Sequence, residues 1–276
     1  MRVIVAEHFG ICFGVRDAIA QAQTLARKAP LAVLGELVHN PIVREQLRAQ
    51  GVREESADAP QTQRVMITAH GTSDKRREAL SKRGLVVADG TCPLVRHAHD
   101  QLKQLVHAGY FPVVIGLAGH VEVRGLVGDF PDAIVINGST DIRNLPARSR
   151  YGIISQTTQP IDRVRALVAE IARAHPNAEI RFVDTVCKPT KDRQLALKKL
   201  IAAVDVIVVV GGRQSNNTRE LVETCRAAGK RALHIERPDE LQPEWFRDVG
   251  VVGLTGGTST LPETVEAVRQ RLEEFQ

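Results

Sequence analysis

Val206-Ile207-Val208-Val209-Val210-Gly211-Gly212-Arg213-Gln214-Ser215-Asn216-Asn217-Thr218 runs from β-branched residues through paired glycines into small polar residues, and the amphipathic stretch Thr218 to Ala228 follows. An unbroken apolar run of this length reads as a strand buried on both faces, the glycines end it, and the hydroxyl and amide side chains suit the N-cap of a helix. Runs of the same kind stand at Val3-Ile4-Val5, Leu31 to Leu34, Val65 to Ile67, Leu85 to Val87, Pro112 to Leu117, Ala133 to Ile136, Tyr151 to Ile154, Ile180 to Val183, Ala232 to Ile235 and Val249 to Leu254. Amphipathic stretches fall between them at Val15 to Lys28, Val95 to His107, Ile161 to Ala174, Lys191 to Ala203 and Pro262 to Phe275. This alternation predicts an α/β protein with largely parallel sheets. Strand pairs recur in each third of the chain, so three similar αβα units are expected: 1–90 with the N-terminal strand, 91–186, and 187–276. In such sheets ligands gather beyond the carboxyl ends of the strands.

Composition narrows the function classes. With 43% hydrophobic and 25% charged residues among 276, the chain reads as an ordinary globular protein with a sizeable core. Its start, Met1-Arg2-Val3-Ile4-Val5-Ala6-Glu7-His8, turns polar too early for a signal peptide, and no apolar run approaches the roughly 18 residues of a membrane span, so the cytoplasm is the expected location. The net charge is +5, but basic and acidic residues are interspersed and aromatics make up only 4%, which argues against a nucleic-acid partner.

Cysteine placement carries the chemistry. Cys12, Cys92 and Cys187 each stand where a strand gives way to a helix, in Gly10-Ile11-Cys12-Phe13-Gly14, Asp89-Gly90-Thr91-Cys92-Pro93 and Asp184-Thr185-Val186-Cys187-Lys188-Pro189. The cytosol disfavours disulfides, whereas a helix N-terminus favours the thiolate. Three thiolates from three similar units suit a metal centre. On a four-iron cluster they would leave one iron without a protein ligand. Cys225 lies inside a helical stretch and reads as a small core residue.

Polar residues collect at other strand ends. His39, His70 and His120 stand in Gly35-Glu36-Leu37-Val38-His39-Asn40, Thr68-Ala69-His70-Gly71-Thr72 and Ala118-Gly119-His120-Val121-Glu122, each closing or shortly following an apolar strand. Imidazolium donates two hydrogen bonds and suits phosphate or diphosphate. Ser155-Gln156-Thr157-Thr158, the turn holding Ser215, Asn216 and Asn217, and Thr255-Gly256-Gly257-Thr258-Ser259-Thr260 offer hydroxyls, amides and backbone N–H groups, which also serve as helix caps. Neither glycine-rich turn has the spacing of a Walker A loop or a dinucleotide fingerprint. Glu122, in a loop near this anionic region, is a candidate proton donor.

Taken in order, Gly-Ile-Cys-Phe-Gly-Val, Gly-Glu-Leu-Val-His-Asn, Ala-His-Gly, Gly-Thr-Cys-Pro-Leu-Val, Gly-His-Val-Glu-Val, Ser-Gln-Thr-Thr, Asp-Thr-Val-Cys, Ser-Asn-Asn-Thr and Gly-Gly-Thr-Ser-Thr resemble the 4-hydroxy-3-methylbut-2-enyl diphosphate reductases, the LytB or IspH family of the non-mevalonate isoprenoid pathway. The resemblance covers nearly the whole chain. It implies a pseudo-threefold trefoil of αβα units around a central 4Fe-4S cluster ligated by Cys12, Cys92 and Cys187. It implies further that His39, His70, His120, Ser215, Asn217 and Ser259 bind the substrate diphosphate, that Glu122 relays a proton, and that Thr157 sits near the substrate hydroxyl. The implied reaction removes that hydroxyl with two electrons and two protons, giving isopentenyl and dimethylallyl diphosphate, with ferredoxin or flavodoxin as electron donor.

Four positions depart from the family's usual pattern. Asn216 stands in place of a second serine and still offers an amide to the diphosphate. Val121 replaces a proline, Leu261 intervenes before Pro262, and Arg124 replaces an acid, which would lower the pKa of Glu122. A divergent paralogue acting on another phosphorylated substrate is one alternative. A zinc-dependent hydrolase, with the thiolates on zinc and water as fourth ligand, is another, and a non-enzymatic binder of phosphorylated molecules is a third.

Overall fold

The computed structural model describes residues 1–275. In chain order the elements are β1 (Arg2–Val5), α1 (Phe13–Ala26), β2 (Leu31–Leu34), α2 (Pro41–Ala49), β3 (Val52–Glu55), β4 (Arg64–Ile67), α3 (Asp74–Lys82) and β5 (Val86–Asp89). There follow α4 (Pro93–His107), β6 (Phe111–Ile115), α5 (Val121–Val127), β7 (Ile134–Ile136), β8 (Arg150–Ser155), α6 (Ile161–Ala174), β9 (Glu179–Phe182), α7 (Lys188–Ala203), β10 (Val206–Val210), α8 (Asn216–Ala227), β11 (Arg231–Ile235), β12 (Val251–Gly256) and α9 (Pro262–Glu273).

The strands form three parallel four-stranded sheets, ordered β1-β12-β10-β11, β5-β4-β2-β3 and β9-β8-β6-β7. Written this way, each sheet repeats one plan. The chain enters at the third strand, goes out to the fourth, returns to the second and finishes on the first. In the sheet of β10, β11 and β12 the first place is taken by β1, with Val3 opposite Val252 and Val5 opposite Leu254. The N-terminal strand was expected to go with residues 1–90, but it pairs in the sheet of the C-terminal segment. Pairing of chain ends is non-local and leaves no mark on either sequence.

Two compact units contain these sheets. One comprises Met1–Arg16, Val38–Gln50 and the chain from Lys188 onward, and the other Asp17–Leu37 and Gly51–Cys187. In the first unit, β10 shows why its sequence is apolar throughout. Val206, Val208 and Val210 pack with Val265, Val268 and Leu272 of α9, while Ile207 and Val209 face Leu197 and Leu200 of α7 and Leu221 and Cys225 of α8. The two-residue period of a strand sends alternate side chains to opposite cores. Leu254, in β12 and fully buried, is expected to cost about 2–5 kcal/mol on replacement by alanine, read by urea denaturation. In the second unit, Val113, Ile115 and Ile153 join the α6 residues Val164, Leu167 and Ile171, and Val114 and Ile154 pack with Leu102 and Leu105 of α4. Glycine permits one such approach, because a Cβ on Gly152 of β8 would press on Leu105 and Tyr110.

Four elements had no counterpart in the sequence reading: β3, α2, α3 and α5. Strand β3, Val-Arg-Glu-Glu, is a polar edge with Val52 alone fully buried, so it lacks the apolar run that marked the others. Among the described residues no helix is long and apolar enough to cross a membrane.

Candidate active site

The three junction cysteines have equivalent settings. Cys12, Cys92 and Cys187 immediately precede α1, α4 and α7, the helices that follow the edge strands β1, β5 and β9. In each case the cysteine N–H donates to a carbonyl two residues beyond the neighbouring central strand: Cys12 to Thr258 at 3.0 Å, Cys92 to Ala69 at 3.0 Å and Cys187 to Thr157 at 2.9 Å. The bond fixes each cysteine against the mouth of its own sheet. All three are partly exposed and none is in a disulfide, and the Cys92 side chain makes no capping bond. Three soft sulfur donors at helix starts, where the dipole favours thiolate, fit an iron-sulfur cluster by their donor chemistry. Cys225 is different, being wholly buried in the α7–α8 core with its thiol pushed up to about 12 by desolvation.

In the second unit, His70 follows β4, His120 and Glu122 follow β6, and Thr157 follows β8. His120 caps α5, its Nδ1 accepting the Glu122 N–H at 3.2 Å. The ring stands edge-on to His70 with centroids 5.5 Å apart, and His70 Nδ1 lies 3.4 Å from Thr68 Oγ1. Glu122 is not in a loop as expected but in the first turn of α5, and it is 1% exposed. Thr157 donates to it twice, from its N–H to Oε1 at 2.6 Å and from Oγ1 to Oε2 at 3.0 Å. Burial raises the Glu122 pKa to about 7, and the two Thr157 bonds oppose that rise. Arg124 does not lower it. The two residues are two positions apart on a helix, hence on nearly opposite faces, and Arg124 is exposed. Thr157→Val removes one of the opposing bonds and is expected to raise the Glu122 pKa further, followed by the infrared band of the protonated carboxyl.

In the first unit, Ser215 caps α8 by accepting the Thr218 N–H at 3.3 Å, and Asn216 and Asn217 open the helix, both buried. The buried Oδ1 of Asn217 has no hydrogen-bond partner among the described residues. A half-turn of the amide would present its NH2 at the same place, so this end of the side chain is suited to an anion. Ser259 Oγ donates to the His39 carbonyl at 3.4 Å. Asn40 was not singled out from sequence, yet it holds these pieces together. Its Oδ1 caps α2 by accepting from Ile42 and Val43, and its Nδ2 donates to the Ser259 carbonyl at 2.7 Å. The Asn40-Pro41 pair is the local signal that would have revealed the cap.

Gly212 was also overlooked as a positioning residue. A Cβ there would overlap the His39 carbonyl oxygen, whereas a Cβ on Gly119 meets nothing within 4 Å. Gly212→Ala is expected to cost about 1–3 kcal/mol in urea unfolding, and Gly119→Ala less than about 0.5 kcal/mol.

Three parallel four-stranded sheets with polar side chains and helix-start thiols beyond the carboxyl ends of their strands, and a buried carboxyl among them, define the chain as an α/β protein. The chain belongs to the LytB protein family, whose model matches residues 3–273. It is 37% identical to the 4-hydroxy-3-methylbut-2-enyl diphosphate reductase of Aquifex aeolicus, covering 99% of this chain and 96% of that one. The reductase of the same name from Geobacter sulfurreducens is 36% identical, with 100% and 98% covered. Among solved structures, the E-1-hydroxy-2-methyl-but-2-enyl-4-diphosphate reductase of Plasmodium falciparum superposes with a TM-score of 0.91 at 27% identity, covering 98% of this chain and 87% of that one. A second structure, described as the terminal enzyme of the non-mevalonate pathway, gives a TM-score of 0.71 at 37% identity, with 99% and 100% covered.

Proposed function

We propose that this chain reduces 4-hydroxy-3-methylbut-2-enyl diphosphate to isopentenyl and dimethylallyl diphosphate. The observation that carries the proposal is the double duty of Thr157. Its N–H and hydroxyl hold the carboxyl of Glu122, while its carbonyl receives the N–H of Cys187. One residue thus ties a proton donor to a candidate cluster ligand.

A 4Fe-4S cluster held by Cys12, Cys92 and Cys187 would supply single electrons and, at the iron without a protein thiolate, Lewis acidity. His39, His70, His120, Ser215, Asn216, Asn217 and Ser259 bind the diphosphate, for which short donors at strand ends and helix starts offer several hydrogen bonds with little bulk. Glu122 is about half protonated at neutral pH and can give its proton to the departing hydroxyl, which leaves as water. The C–O bond breaks, and two electrons and a second proton complete the new C–H bond. Thr157 keeps the Glu122 carboxyl oriented. The electrons come from a ferredoxin or flavodoxin, acidic carriers suited to a chain of net charge +5, and the reaction takes place in the cytoplasm.

Anaerobic turnover of 4-hydroxy-3-methylbut-2-enyl diphosphate with a chemical reductant tests the proposal. Both isoprenoid diphosphates are the expected products. Their absence from a preparation shown to contain its cluster would overturn it.

A further inference from the structure

The second unit has a cavity of about 630 Å³ that the reaction above does not use. Its volume falls within the range of small-molecule sites. Leu34, Ile67, Leu80 and Val121 give it an apolar wall, and Lys75, Arg76 and Arg124 contribute cations. Asp58, itself in the lining, pairs there with Arg76, so that cation is already matched, and Asp74 pairs with Lys103 outside the lining. Asp129 accepts the N–H groups of Asp74 and Lys75 at 2.8 and 3.0 Å, so the start of α3 is already capped and is not itself the anion site. Two positive charges remain without a carboxylate. The Lys75 ammonium donates to the backbone carbonyl of Asp129 at 3.2 Å, and the exposed Arg124 guanidinium has no ion pair among the described residues.

We propose that this cavity is a second ligand site, binding a small organic diphosphate with its anionic end at Arg124 and Lys75 and its hydrocarbon end on the Leu34, Ile67, Leu80 and Val121 wall. The site adjoins the reaction machinery through the backbone. Arg124 lies on α5, two residues from Glu122 and facing away from it. The segment after His70 packs on the same helix so closely that a Cβ on Gly125 would stand 3.2 Å from the Thr72 Cα. A ligand bridging α5 and α3 would therefore clamp the two elements that carry Glu122 and follow His70. The proposal does not require the reductase reading to hold.

Equilibrium dialysis of the intact holoprotein against radiolabelled inorganic pyrophosphate counts the sites. Arg124→Gln combined with Lys75→Gln, two exposed positions outside the reaction machinery, is expected to bind one molar equivalent fewer than the parent while melting at the same temperature. If the reductase site also takes pyrophosphate, the count falls from two to one. If that reading fails, it falls from one to none, so the two ideas fail separately. An unchanged count in the double variant overturns the second site. Isopentenyl diphosphate should bind the site at least about fivefold more tightly than pyrophosphate because its hydrocarbon is buried, and equal affinity would overturn the assignment of the apolar wall.

Discussion

Cys187→Ser, purified without oxygen, is expected to be colourless or nearly so and to show no detectable reductase activity, while its apo form unfolds within about 0.5 kcal/mol of the apo parent. The two halves of this result follow from different atoms. The stabilising contact at this position is made by the backbone, the Cys187 N–H donating to the Thr157 carbonyl at 2.9 Å, and serine retains it. The sulfur is partly exposed and contributes little to the core, so its loss is felt through the cluster. Serine is a hard oxygen ligand of high pKa and a poor substitute for thiolate on iron. The same split is expected for Cys12 and Cys92, whose N–H groups are held in the same way. Cys225→Ser should behave in the opposite manner, keeping the cluster but losing stability, because it places a hydroxyl in the α7–α8 core.

Glu122→Gln is expected to lower turnover by about 10²–10⁴-fold, the usual contribution of a positioned general acid. Its stability should change in the other direction. The folded-state pKa of Glu122 is raised from 4.5 to about 7, so between those values the folded chain holds a proton that the unfolded chain has lost. Stability from this group is therefore fully present below about pH 4.5 and is lost as pH rises towards 7, by about 3 kcal/mol in total. Glutamine has no such penalty. It can accept the Thr157 N–H at its oxygen and donate to Thr157 Oγ1 from its nitrogen. The variant should thus be more stable than the parent at pH 8 by an amount of that order and equal to it near pH 4, as read by denaturant melts across pH. A variant less stable at pH 8 would show that the carboxylate is compensated by a charge absent from the Thr157 contacts.

The sequence was most legible where structure is local. β-branched runs such as Val206 to Val210 announce themselves, and a cysteine beside Pro93 or just before Phe13 can be placed at a helix start because caps and prolines act over a few residues. The glycine and hydroxyl turns after β10 and β12 were visible for the same reason. What stayed hidden depends on chain segments distant in sequence. That β1 completes a sheet begun two hundred residues later is a matter of pairing, since any apolar four-residue strand would read alike. Glu122 was legible as a candidate proton donor but was expected in a loop, because nothing in Gly-His-Val-Glu-Val-Arg tells that a short helix forms there or which of its faces will be covered. Its burial, and the failure of Arg124 to depress its pKa, come from the packing of α5 and the reach of Thr157 from β8. Gly212 likewise looked like an ordinary turn glycine. Its close approach to the carbonyl of His39 requires two segments that only the fold brings together.

Quantitation of iron and acid-labile sulfide in the protein made and purified without oxygen tests the central claim most directly. About four irons and four sulfides per chain, with broad visible absorbance, are predicted, falling away when Cys12, Cys92 or Cys187 is replaced. A colourless protein lacking both, or one holding zinc without sulfide, would contradict it.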